Sequence, residues 1–143
     1  MPKTVAVEVI TPSKLFYNGD VEIIIAPTKD GAEGFMANHS WTCTLLAVGE
    51  LWIKEPGSKK YKVAAISNGF IDVKDTIILY TDAAEWAEDI DVERAMSQKE
   101  EAEDWLIGKE PKDPDEVKRA QLAIAKSIAR MKAKNDGERG TYK

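Results

Sequence analysis

Up to about residue 84 the chain is a succession of short apolar runs closed by turn-forming residues; beyond it, apolar residues recur at helical spacing. Residues 5–10 are closed by Thr11-Pro12-Ser13, and Leu15-Phe16-Tyr17 by Asn18-Gly19-Asp20. Residues 21–26, 35–37, 42–48, 51–54, 61–66, 69–73 and 76–81 follow, parted by Asp30-Gly31 with Gly34, Gly49-Glu50, Glu55-Pro56-Gly57-Ser58, Ser67-Asn68 and Lys74-Asp75. β-Branched and aromatic residues suit a pleated surface. Strands this short and this evenly spaced predict an all-β sandwich of about eight to ten antiparallel strands, its apolar faces packed inward. Pro27 has no N–H for a ladder, so it is expected to end its strand or to place it at an edge.

The second part reads as a C-terminal α-helical hairpin. Asp91 is the expected N-cap of a first helix, with Val92, Ala95, Met96, Ala102 and Leu106 on one face. Residues 107–112 break it. Asp113-Pro114-Asp115-Glu116 restarts it with a cap, a proline at the first helical position and an acidic residue three after the cap. Val117, Ala120, Ile124, Ile128 and Met131 form the second stripe; Asn135-Asp136-Gly137 is expected to end the helix and leave a frayed tail. The expected organisation is therefore a sandwich over residues 1–84 and a hairpin over 85–143. Both stripes are narrow and alanine-rich, so the hairpin buries little apolar area and is expected to be loosely held.

The net charge of −5 is unevenly placed. Residues 83–104 hold 2 basic and 9 acidic side chains, residues 105–143 hold 10 basic and 6 acidic. An acidic first helix favours docking against a basic second one, although exposed pairs contribute only about 0.2–1 kcal/mol each. The basic end attracts an acidic surface, but overall acidity and the lack of interleaved aromatics speak against nucleic acid. No apolar run approaches a membrane span and no signal segment opens the chain, so the expected compartment is the cytosol, or a membrane face reached through a partner. Cys43 and His39 are the only cysteine and histidine, which excludes an intramolecular disulfide, a Cys-based zinc site and a multi-His metal site.

Little in the chain promises catalysis. His39 has no nucleophile motif beside it, and a lone histidine of this kind is usually structural or at an interface. Cys43 is expected in the core, as part of an apolar strand. Asp20, Glu22, Asp30 and Glu33 are read as solvated turn carboxylates rather than an acid–base pair. Neither a P-loop nor a dinucleotide fingerprint occurs.

Four collinear stretches nevertheless resemble the ε subunit family of F-type ATP synthases: Gly19 to His39 with its Ala-Pro and Gly-x-x-Gly spacing, Gly49-Glu50-Leu51-x-Ile53, Ser67-Asn68-Gly69-Phe70-Ile71-Asp72-Val73, and Ile90-Asp91-Val92-Glu93-Arg94-Ala95. The resemblance covers roughly residues 5 to 134. It implies a non-catalytic rotor component of the central stalk, at the cytoplasmic face of a bacterial membrane, whose partners are the γ subunit, the ring of c subunits and the catalytic α/β hexamer. By position, Asp30, Gly31, Ala32, Glu33 and Gly34 face the c-ring, with Ala32 where the family often has an acidic residue. His39, Ser40 and Trp41 lie toward γ, with Trp41 in place of the family's usual proline. In the family the compact hairpin permits rotation and the extended one blocks ATP hydrolysis. Lys118, Arg119, Lys126, Arg130, Lys132 and Lys134 then meet an acidic segment of the β subunits.

Some bacterial members also bind ATP in the compact state. The resemblance places Glu85, Ile90, Asp91, Arg94 and Ala95 near the adenosine and Lys126 and Arg130 near the phosphates, where carboxylate and cations suit the amino group and the phosphate respectively. Glu101 and Lys126 stand where strong binders carry arginine, so weak or absent ATP binding is expected, and no cofactor is required. Two rival readings remain at this stage. One is a free-standing nucleotide sensor that binds ATP at the hairpin; the other is a small hydrolase using His39 and the nearby carboxylates. The coupling ion, H⁺ or Na⁺, is chosen in other subunits.

Overall fold

The computed structural model describes residues 3–142. Ten strands precede the helices: β1 (Val5–Ile10), β2 (Leu15–Val21), β3 (Ile23–Thr28), β4 (Gly31–Phe35), β5 (Thr42–Leu46), β6 (Gly49–Lys54), β7 (Lys62–Ile66), β8 (Gly69–Val73), β9 (Thr76–Thr81) and β10 (Ala84–Trp86). A single 3₁₀ turn (Ala87–Asp89) leads into α1 (Val92–Ile107) and α2 (Pro114–Arg139).

The strands form one ladder in the order β10-β7-β6-β3-β5-β8-β9-β1-β2, with β4 on the free side of β3. The ladder folds over where β3 meets β5, a junction of one residue pair, Thr28 with Leu46. Alternate residues from both layers enclose a single core, in which Val7, Val9, Ile24, Phe35, Leu46, Ile53, Ile71 and Leu79 are fully buried. One pairing departs from the expected antiparallel set: β1 runs parallel to β9.

A second apolar cluster lies outside the sandwich. Ile25, Trp52, Val63 and Ala65 point away from the core and meet Ala87, Ile90 and Ala133. This explains why residues 23–26 and 63–66 read as unbroken apolar runs rather than alternating ones. Both faces of β3, β6 and β7 are covered, one by the opposite layer and one by the helical part.

Several boundaries differ from the sequence reading. β2 continues through Asn18-Gly19-Asp20 because its backbone pairs with β1 as far as Val5–Val21. Pro27 lies within β3, opposite Ala32, where the strand has left β6 and turns to β5; its carbonyl still accepts from the Ala47 N–H. The expected strand over 35–37 is displaced to Gly31–Phe35, since main-chain pairing with β3 needs no side chains, and Asn38 takes a left-handed turn at φ 65°. Cys43 is exposed, not in the core: with Leu45 it occupies the outward register of β5, while Leu46 points in. Strand β10, unforeseen in the sequence, pairs with β7.

The hairpin follows its caps. The Asp91 side chain accepts from the Arg94 N–H, and Asp113 from the Asp115 N–H. Helix α2 does not stop at residues 135–137. It runs to Arg139 and ends at Gly140, whose φ of 68° suits a residue without Cβ. As far as Tyr142 the tail is held rather than frayed, and Lys143 lies outside the described residues: the Tyr61 N–H donates to the Gly140 carbonyl, and the Tyr142 ring meets Trp52 edge-on. The buried residues of α2 are Ser127, Ala129, Ala133 and Asp136 rather than the larger stripe from Val117 to Met131, of which Ile128 is exposed.

Candidate functional site

The region with most convergent chemistry is where α2 crosses the outer face of β7 and the end of β10. Register explains the arrangement. Glu50, Ala65 and Glu85 lie side by side on β6, β7 and β10. The small Ala65 lets the helix approach, and the two carboxylates flank it. On one side Arg130 Nε donates to Glu85 Oε1 at 2.8 Å, and its Nη1 reaches Gln98 Oε1 on α1 at 3.1 Å. On the other side Lys132 Nζ lies 3.4 Å from Glu50 Oε1. Lys134 Nζ donates to the Glu88 carbonyl at 3.2 Å.

Two clefts open here. One of about 690 Å³ lies between the helices, with Gln98, Glu101 and Trp105 facing Arg119, Lys126 and Arg130. The other, of about 310 Å³, lies between α2 and the strand edge, lined by Ser67, Ala84, Glu85, Lys126 and Arg130. Ser67 is buried, and its hydroxyl has no hydrogen-bond partner. Of the residues assigned to adenosine and phosphate, Glu85, Lys126 and Arg130 therefore share a cleft. Asp91 caps α1 and Arg94 is exposed, while Ile90 and Ala95 are buried as packing residues.

The remaining assigned residues lie elsewhere. Asp30, Gly31, Ala32, Glu33 and Gly34 form the exposed β3–β4 hairpin, whose tip is tied by the Thr28 hydroxyl to the Gly31 carbonyl and the Asp30 N–H. His39 Nδ1 is 2.8 Å from the Ser40 carbonyl and its ring packs on Phe35, so its bond goes to backbone rather than to an orienting acid. Trp41 is 68% exposed. Lys118 and Arg119 are exposed, whereas Arg130, Lys132 and Lys134 are engaged with the sandwich.

Sequence reasoning missed two features. Leu45, Phe70, Tyr80 and Ile10 are register neighbours across β5, β8, β9 and β1, and the first three are exposed. Phe70 and Tyr80 stack at 4.7 Å. Apolar residues in both registers of these strands carried that signal. The other is the Glu50–Asp136 contact. Burial first, then the facing Asp136, pushes the Glu50 carboxyl up to about 7, against Lys132. Despite its own burial, Asp136 is held below the ordinary carboxylate range by hydrogen bonds from Glu50 and Arg139. No spacing rule links a strand residue to a helix residue that far along the chain.

Residues 4–87 match the family model described as ATP synthase, Delta/Epsilon chain, beta-sandwich domain, and residues 88–135 the one described as its long alpha-helix domain. An ATP synthase epsilon chain of Desulforamulus reducens is 39% identical over 134 residues, spanning 93% of this chain and 98% of that protein. The ATP synthase epsilon chain of Caldanaerobacter subterraneus is 40% identical over 134 residues, spanning 92% and 94%. A chain of the Euglena gracilis mitochondrial ATP synthase shares the fold with a TM-score of 0.78 at 24% identity, over 90% of this chain and 80% of that one. With both halves matched in order and near full-length relatives at this identity, the chain belongs to the ATP synthase delta/epsilon family, as an epsilon-type chain.

Proposed function

We propose that the sandwich anchors this chain on the rotor, between γ and the c-ring, and that the helical hairpin is a brake on ATP hydrolysis that acts when it leaves the sandwich. The observation that carries the brake is the seat of α2. Its buried contribution to the outer apolar cluster is Ala133, beside Gly137, with no large apolar side chain. Such a contact buries little area, and an element held this way is moved by a few kcal/mol, about 1.4 kcal/mol for each tenfold in the equilibrium.

The anchor has two surfaces. The exposed row Leu45, Phe70 and Tyr80, with His39, Ser40 and Trp41 at the neighbouring edge, is the γ face; apolar surface left open in this way marks a partner. The β3–β4 hairpin, residues 30–34, faces the c-ring at the cytoplasmic side of a bacterial membrane. Lys118 and Arg119 are free to meet the acidic segment of the β subunits at once, and Lys126, Arg130, Lys132 and Lys134 join them on release. Nucleotide is a minor regulator in this reading. Arg130 is already neutralised by Glu85, and Glu101 places a carboxylate where phosphate would lie, so ATP binding is weak. Submicromolar affinity in a titration would refute that point and favour a nucleotide sensor.

The test is ATP hydrolysis by the cognate γ-containing catalytic core, alone, with full-length chain, and with a chain ending at Glu88, which retains β10. Full-length chain is expected to bind and inhibit, and the shorter chain to bind without inhibiting. Binding of both without inhibition removes the brake and leaves the anchor; binding of neither removes both.

A further inference from the structure

The seat of α2 contains a pair of acids that the rotor role does not require. Glu50 belongs to β6 and Asp136 to α2, so the pair exists only while the helix is docked. Both side chains are enclosed, at 10% and 7% exposure. Their carboxyl groups face each other across the seam, and the buried Glu50 Oε2 has no hydrogen-bond partner.

The charges around the pair are unequal. From α2, Arg139 Nη2 lies 2.6 Å from Asp136 Oδ1 and neutralises that residue. Lys132 reaches Glu50 Oε1 at 3.4 Å, but its side chain is 68% exposed, so water screens it. From β7, the residue opposite Glu50 is Ala65, and the acid beyond it on β10, Glu85, is held by Arg130. Two enclosed carboxylates in contact do not both ionise without a large penalty. One proton shared between them, with Glu50 as donor to the Asp136 carboxylate, would remove that penalty.

We propose that the Glu50–Asp136 pair is a single-proton latch that holds the last turns of α2 on the sandwich and slackens as the medium turns alkaline. The sign follows from linkage. Glu50 has its raised value, about 7, only when docked, against the ordinary 4.5 when released. Docking thus takes up a proton; its stabilisation is complete below the released value and is lost as pH rises through the docked one. Asp136 shifts the opposite way, so its contribution changes only in acid below its ordinary 3.8, outside that window. Between about pH 6 and pH 8 the docking constant falls about tenfold, one proton's worth.

The readout is the Tyr61 amide, which donates to the Gly140 carbonyl and is protected only while the tail is seated. Its hydrogen-exchange protection is measured by NMR on the isolated full chain, corrected for intrinsic exchange and referred to Ile71 in the middle of the core. The wild-type ratio is expected to fall about tenfold from pH 6 to pH 8. In Glu50→Gln, whose amide donates to Asp136 at every pH, the ratio is expected to stay flat. Asp136→Asn removes the facing charge but leaves Glu50 buried, so it is expected to lessen the slope without abolishing it, and the test does not depend on one variant folding. A flat wild-type profile, or the same slope in wild type and variants, overturns the latch. Neither outcome bears on the brake, which is measured in the catalytic core.

Discussion

Gly137→Ala isolates the seat of α2 from the rest of the molecule. A Cβ at position 137 would fall well inside van der Waals contact with Ala87 Cβ, and 3.8 Å from Val63 Cβ. Ala87 sits on the 3₁₀ turn and cannot swing aside, so the helix itself must lift. Overpacking of this kind costs about 1–3 kcal/mol. The substitution also raises helix propensity by about 1 kcal/mol, but α2 is helical whether docked or released, so that gain cancels in the docking equilibrium. The net result is a docking constant lower by roughly 5- to 150-fold, at about 1.4 kcal/mol per tenfold. The assays are the Tyr61 protection ratio in the isolated chain and inhibition of ATP hydrolysis in the γ-containing core. Protection is expected to fall, and inhibition to deepen at equal chain concentration. Unchanged or greater Tyr61 protection would refute the close-approach reasoning; reduced protection without deeper inhibition would refute the link between release and the brake.

Other surfaces give separate outcomes. Single and double alanine substitutions at Arg130 and Glu85 should reveal a coupling of about 1 kcal/mol in docking, near the upper end for partly exposed pairs. Leu45→Asp, on the outward face, should leave the melting midpoint within the small range of surface changes, about 0.5 kcal/mol, while weakening capture by the γ-containing core. Phe35→Ala, at a fully buried site, should destabilise the sandwich by about 3–5 kcal/mol in urea unfolding.

Which parts of this were legible in the sequence depends on how local the cause is. The caps at Asp91 and Asp113 and the gap between the helices rest on side chains bonding to their own backbone within a few residues, and the sequence shows them. The turns at Ser67-Asn68 and Lys74-Asp75 are equally local. The course of β3 through Pro27 is not, because it depends on which neighbour the strand has at that point. Nor is the end of α2. Asn135-Asp136-Gly137 looks like a stop, yet Gly137 is needed there for close approach to Ala87 and the left-handed residue is Gly140. The burial of Ile25, Trp52 and Val63 away from the core was visible only as a failure of alternation, without a hint of what covers them. Of the nucleotide assignments, Glu85, Lys126 and Arg130 meet in one cleft, but whether nucleotide enters it is a matter of affinity that spacing does not encode.

If the hairpin leaves the sandwich as proposed, the distribution of contacts sets the order of events. Helix α1 packs on α2, and it is α2 that packs on β6, β7 and the 3₁₀ turn. Among the described residues no ion pair joins the two helices, although one is acidic and the other basic; the charges of α2 are spent on the sandwich instead, at Glu85, Glu50 and the Glu88 carbonyl. Those groups exchange protein partners for water on release, and such exchanges contribute little net, about 0.5–1.5 kcal/mol each for hydrogen bonds. What remains is the small apolar contact of Ala133 and Gly137, the Tyr142–Trp52 edge contact and the Glu50 proton. The hairpin can therefore leave as a unit once the last turns of α2 lift. Because the helix–helix contact is not broken in that first step, the event that would start release lies at the C-terminal end of α2, some distance from the exposed Lys118 and Arg119 at its beginning.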